Sequence, residues 1–188
     1  GDALSDTSSL PIGSGQFTVR TGETDNTLAG RLAAKYGIVL NNGSTTSGGY
    51  SYADGTLNSG KVSDVGNQIT TYLGHVGNSI GAKDLIIITV GSQDIYYAAP
   101  TNNTSALATA ATNLTSSIQR LTNAGAKYVL VVLPINMART PWALNSPIAR
   151  SVIQGLSYDT GNQCLSFSCQ LIIKLNSAYP ATTSHQPI

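Results

Sequence analysis

Two short apolar runs with a helical pattern between them constrain the fold more than any other feature of the chain. DLIIITVG (residues 84–91) and KYVLVVLP (residues 127–134) are rich in β-branched residues and bounded by turn-forming residues, which predicts buried strands. Between them, residues 104–125 carry apolar side chains at the helical interval and end at Gly125, which predicts a long helix. This strand–helix–strand order predicts an α/β fold with a parallel sheet.

Four further segments have the apolar spacing of short helices. They are residues 27–37, 64–77, 147–156 and 170–179. The length of 188 residues, without an internal repeat or an evident linker, predicts a single domain over residues 1–188.

Charged residues are scarce in this chain. They make up 10% of it, against about a quarter in a typical globular protein, and the net charge is +1. A surface built from Ser, Thr, Asn and Gly indicates a secreted or extracytoplasmic protein. No basic cluster is present, so we expect no nucleic-acid partner. No apolar run reaches transmembrane length, the longest being residues 85–90, so we expect no membrane span.

Both cysteines lie in CLSFSC, as Cys164 and Cys169. In a secreted protein this spacing predicts a short disulfide loop, and two reduced thiols are the alternative. No Cys and His cluster predicts a metal site. Four asparagines begin N-glycosylation acceptor triplets, which matter only in a eukaryotic secretory route: Asn42, Asn102, Asn103 and Asn113.

Functional sites of parallel α/β folds lie beyond the carboxyl ends of the strands. Two segments occupy such positions, GSQDIYY (residues 91–97) after the first predicted strand and LPINMARTP (residues 133–141) at the end of the second. Tyr96 and Tyr97 either line a pocket there or pack into the core.

Four blocks of the sequence, in order, resemble the SGNH/GDSL hydrolase family of esterases and lipases. They are GDALSDT (residues 1–7), YADGT (52–56), GSQD (91–94) and LTNAGAKYVLVVLPINMARTP (121–141). Their order and their spacing along the chain both agree with the family pattern. The resemblance implies a three-layer, flavodoxin-like α/β/α fold with a mainly parallel central sheet.

The resemblance also implies a role for each matching position. Ala3 stands where the family has its nucleophilic serine, and Gly55 matches the glycine whose N–H faces the oxyanion. Gln93 replaces the oxyanion asparagine of the family's Gly-X-Asn-Asp block. The family's Asp-X-X-His-Pro block is not convincingly present. His185 is the only late histidine, and Thr182 stands where the acid is expected.

Several of these positions also have a purely structural interpretation. Asp2 is expected to hold the turn after a strand, and Asp94 to support the third block. Gln93 and Asp94 either cap the following helix or serve the oxyanion hole. Ser5 is a weak substitute nucleophile, and His75 is expected to be a surface or packed histidine.

Three hypotheses remain open. The chain is a GDSL-type ester hydrolase with its serine replaced by Ala3, a pseudoenzyme retained as an extracellular binding or structural module, or an unrelated α/β domain. The resemblance implies acyl esters, lipids or acetylated sugars as substrates, and no cofactor. A glycan ligand and self-assembly remain open for a non-catalytic module. Because the family's first strand and fifth block are not found, we expect residues 1–188 to be an internal part of a longer chain.

Overall fold

The computed structural model describes residues 28–39, 64–132 and 134–159. Residues 150–159 are helical and form α6. The preceding helices and strands of these ranges are, in chain order, α1 (Leu28–Tyr36), α2 (Val65–His75), β1 (Leu85–Thr89), α3 (Ser92–Ala98), α4 (Thr104–Asn123), β2 (Tyr128–Val132) and α5 (Pro141–Asn145).

The two strands form a parallel pair, with Leu85 opposite Tyr128 and Thr89 opposite Val132. The long helix α4 connects them, as the strand–helix–strand pattern predicted. The α/β class and the parallel pairing are therefore confirmed, for a small sheet. The three-layer arrangement stays a prediction, since only these two strands lie in the described ranges.

The main core lies between this sheet and helices α2 and α4. Burying each of its larger apolar side chains contributes about 1.5–3 kcal/mol. Arg120 of α4 joins the two helices further, because its guanidinium donates to the Gly66 carbonyl at 3.1 Å and to the Thr70 hydroxyl at 2.7 Å. The larger buried side chains are Val65, Ile69, Leu73, Ile80, Ile88, Val90, Leu114, Ile118 and Leu121.

Among the described elements, helices pack on one face of β2. Val129 and Val131 pack against the main core, whereas Tyr128 and Leu130 on the opposite face are 57% and 40% exposed. The prediction of a fully buried second strand is therefore wrong for Tyr128–Val132. The reason is that α2 and α4 both cover the same face of the sheet. The first strand fits its prediction better, since Ile88 and Thr89 are both buried near its end.

A second core forms beyond the carboxyl ends of the strands. Ile95 of α3, Leu107 of α4, Met137 and Ala143 of the segment after β2, and Ile153 of α6 are buried together there. This cluster fixes the loops that follow both strands, which is where the family resemblance places a site.

The predicted helices agree with the structure where they are described. Residues 27–37 contain α1, 64–77 contain α2, and 104–125 contain α4. The helix predicted over 147–156 begins only at residue 150, because the Ile148 N–H donates to the Ser146 hydroxyl in a bend. Residues 170–179 lie outside the described ranges. No helix within those ranges is long and apolar enough to cross a membrane.

Candidate functional site

Helix α3 begins one residue after a sharp turn at the end of β1. Gly91 is its N-cap, with a φ of +109° that favours glycine, and as a glycine it has no side chain to cap the helix. Gln93 and Asp94 are the second and third residues of α3, and both alternatives for them, helix capping and an oxyanion role, stay predictions. The turn places both residues at the carboxyl end of β1, as expected from parallel α/β folds.

Gln93 has a half-buried side chain. Within the described ranges its amide group forms no hydrogen bond. An amide at this position has the chemistry of an oxyanion-hole donor. It is one methylene longer than the asparagine of the family pattern.

Asp94 is completely buried, with 0% of its surface exposed. Asp94 has a hydrogen-bonding or electrostatic partner, so the residue is not isolated in the interior. A carboxylate in the first turn of a helix is also stabilised by the helix dipole, by about 0.3–1 kcal/mol. Asp94 therefore lies inside the protein, where it can shape the turn but is not open to solvent.

The two segments that follow the strands come together in the second core. Tyr96 of α3 and Trp142 of α5 make an edge-to-face contact, with their ring centroids 4.3 Å apart. Such pairs contribute about 0.5–1.5 kcal/mol beyond burial. Of the two readings for Tyr96, packing is therefore observed, while Tyr97 is 49% exposed.

A buried serine holds the segment after β2 against α6. The Ser157 hydroxyl accepts a hydrogen bond from the Met137 N–H at 3.1 Å and donates to the Ile153 carbonyl at 2.8 Å. Arg150 adds a bond from its Nε to the Ala138 carbonyl at 3.2 Å. These bonds fix the backbone of the segment that faces α3.

Several residues of the sequence prediction lie outside the described ranges, so their roles stay predictions. They are Asp2, Ala3, Ser5, Asn42, Gly55, Cys164, Cys169, Thr182 and His185. The structure therefore brings together Gln93 and Asp94 alone from the predicted hydrolase site.

The remaining predicted residues have ordinary surroundings. His75 is an exposed residue near the end of α2, where its Nδ1 lies 2.9 Å from the Thr71 carbonyl oxygen. This confirms the surface reading. Asn103 is the N-cap of α4, because its side-chain oxygen accepts from the Ala106 N–H. Asn102 is exposed at a φ of +49°, and Asn113 is half-buried within α4.

The described residues show no cluster of three or more His, Cys, Asp or Glu that could hold a metal ion. They do form an open groove of about 340 Å³ between the start of α4 and α6. The sequence analysis missed this groove, although Gly155 in the middle of a helical pattern was a signal for it.

The sequence was compared with models of known protein families. The model described as GDSL-like lipase/acylhydrolase matches residues 1–183. The chain belongs to the GDSL-like lipase/acylhydrolase family. This membership makes it a relative of ester hydrolases and accounts for the order of its sequence blocks. Comparisons with curated proteins and with solved structures gave no match.

Proposed function

We propose that this chain is an extracytoplasmic ester hydrolase relative whose nucleophile position holds Ala3, so that it does not form an acyl-enzyme as it stands. The observation that carries the proposal is the GDSL-family match over residues 1–183, which includes the GDALSDT block. Acyl esters, lipids and acetylated carbohydrates are the substrate classes that fit this family.

The proposed oxyanion site consists of Gly55 and Gln93. Support for Gln93 comes from its place at the carboxyl end of β1 and from its side-chain donors, which form no hydrogen bond within the described ranges. A preorganised donor facing the oxyanion is worth roughly 2.7–4 kcal/mol of transition-state stabilisation. Asp2 and Asp94 are proposed to support the loops, and His185 is proposed as the base.

Ala3 removes the group on which the covalent mechanism depends. A serine oxygen attacks the ester carbonyl only while a base accepts its proton, and alanine offers neither oxygen nor proton. In serine hydrolases the loss of the nucleophile lowers kcat by on the order of 10⁶-fold. The unchanged chain is therefore expected to bind esters without turning them over by this route.

The test is the Ala3→Ser variant, assayed with p-nitrophenyl acetate and p-nitrophenyl butyrate. We expect its rate to exceed that of the unchanged chain by on the order of 10²-fold or more. Adding His185→Ala should abolish the gain, whereas adding His75→Ala, a matched change at an exposed histidine, should leave it intact. No gain in the folded Ala3→Ser protein would overturn the hydrolase assignment of this site.

A non-catalytic role is the second candidate, as an extracellular binding or structural protein that can self-assemble. It is favoured by the departure of two positions, Ala3 and Gln93, from the catalytic pattern of the family. Gln93→Asn separates the candidates in the Ala3→Ser background. A rise in the rate indicates a site that still supports catalysis, while inactivity of both variants together with retained ligand binding indicates a binding module.

The proposed location rests on the low charge content and on the cysteine pair. Alkylation without reductant should leave Cys164 and Cys169 unmodified, because extracytoplasmic proteins retain such disulfides. Rapid labelling of both thiols in protein taken from the periplasm or culture medium would contradict the disulfide.

A further inference from the structure

The groove between α4 and α6 does not include Gln93. Gln93 lies at the first turn of α3, whereas the groove begins at Asn102, beyond the other end of that helix. Its far wall is α6, which contributes Ser151, Gly155 and Asp159. A volume of about 340 Å³ is at the lower end of the range of about 300–1,000 Å³ that small-molecule sites occupy.

Gly155 of α6 lines the groove and places no side chain there. Ser151, Gly155 and Asp159 are four residues apart, so they form one row along the helix. Glycine within a helix costs about 1 kcal/mol relative to alanine. Neither a positive φ nor a close neighbour requires this glycine, because a Cβ added at Gly155 meets nothing within 4 Å.

Neutral polar groups surround this space. Asn102 and Thr104 lie on the α4 side, and Ser151 lies on the α6 side. In the described part of the chain their side chains form no hydrogen bonds. They supply one amide and two hydroxyls, which can both donate and accept. Of the two apolar residues at the groove, Val152 is partly buried, whereas Leu156 is only 1% exposed and belongs to the second core.

Asp159 is the one charged side chain that lines the groove among the described residues. A carboxylate accepts hydrogen bonds from ligand hydroxyls and repels anions. A simple cation would gain little, since one partly exposed carboxylate is a weak partner and the amide and hydroxyls would be left unused. A ligand with several hydroxyls and an apolar C–H face can hydrogen-bond to the carboxylate, the amide and the hydroxyls and can also contact the apolar side chain.

We propose that this groove binds a neutral saccharide ring, with its hydroxyls on Asp159, Asn102, Thr104 and Ser151 and its C–H face on Val152. This is a ligand site of its own, and it does not depend on ester hydrolysis. In a shallow groove with few contacts the dissociation constant is expected on the order of 1 mM.

Saturation-transfer NMR on the full chain tests this proposal, with the methyl glycosides of glucose, galactose, xylose and N-acetylglucosamine as probes. We expect at least one of them to bind. Gly155→Leu should fill the groove and weaken binding by about 10-fold or more. Gly74→Leu is the matched control, since Gly74 is also an exposed helical glycine with open space around it, but it lies on α2 away from the groove.

Asn102→Gly provides a second variant that adds no volume. The φ of +49° at this position suits glycine, so the change removes the amide without straining the backbone. It should weaken saccharide binding while circular dichroism and melting stay close to those of the unchanged chain. Three results would overturn the proposal: no binding of any probe, binding unaffected by both groove variants, or displacement of the glycoside by tetramethylammonium.

Discussion

Gly125 combines a left-handed backbone with a close backbone neighbour, so a single methyl group should destabilise the fold there. It ends α4 with a φ of +105°, a conformation that L-residues rarely adopt. A Cβ at this position would lie 3.0 Å from the Ile80 carbonyl oxygen. That oxygen cannot easily move away, because the N–H of Ile80 donates to the Ala124 carbonyl at 2.8 Å.

Two costs follow for Gly125→Ala. Strained backbone costs about 1–3 kcal/mol, and overpacking adds about 1–3 kcal/mol. We therefore expect a loss of roughly 2–4 kcal/mol in the free energy of unfolding after partial relaxation. For a domain of this size, that loss lowers Tm by at least about 4 °C.

Urea denaturation followed by circular dichroism measures this change. Gly74→Ala is the control, because Gly74 lies in a helix with open space around it, and alanine there should stabilise the protein by up to about 1 kcal/mol. If the free energy of unfolding of Gly125→Ala lies within about 0.5 kcal/mol of that of the unchanged chain, the argument for a strained turn is wrong.

Three further changes test the packing and the electrostatics. Leu114→Ala in the main core should lower the free energy of unfolding, measured by urea denaturation, by about 2–5 kcal/mol. Leu144→Ala, at a 62% exposed position, is the control and should change it by less than about 0.5 kcal/mol. Similar losses in the two variants would contradict the described core. Ser157→Ala leaves the buried Met137 N–H without its acceptor, which should cost about 1–3 kcal/mol and speed hydrogen exchange at that amide; unchanged exchange would refute this role. Burial, and to a smaller extent Asp84, raises the pKa of Tyr72 above its ordinary value of 10.0. The phenol of Tyr72 therefore ionises less readily in the folded state than in the unfolded state. Its contribution to the free energy of unfolding is fully present below pH 10 and is lost as the pH rises above that value. Tyr72→Phe should reduce this alkaline loss in melting curves, and an identical loss in both proteins would contradict the assignment.

The parts of the fold set by local pattern could be predicted from the sequence. The apolar run at residues 85–90 and the stripe along residues 104–125 each carry a strong period, and both elements form where expected. Glycines at the predicted helix ends also act as expected, since Gly37 and Gly125 both have positive φ.

The parts set by tertiary packing could not be predicted in the same way. The half-exposed β2 depends on which face α2 and α4 cover, and the residues of the strand do not encode that choice. The groove joins Asn102 to a helix about fifty residues later, so it emerges only when α4 and α6 are in place.

The most direct test of the proposed function is the site at which a fluorophosphonate probe labels the protein, read by peptide mass spectrometry. The probe reacts with a serine hydroxyl that a base has activated, so it reports the nucleophile itself. The account predicts no label on the unchanged chain and a label at position 3 in Ala3→Ser. A label on the unchanged chain, for example at Ser5, or no label on the folded Ala3→Ser protein, would contradict it.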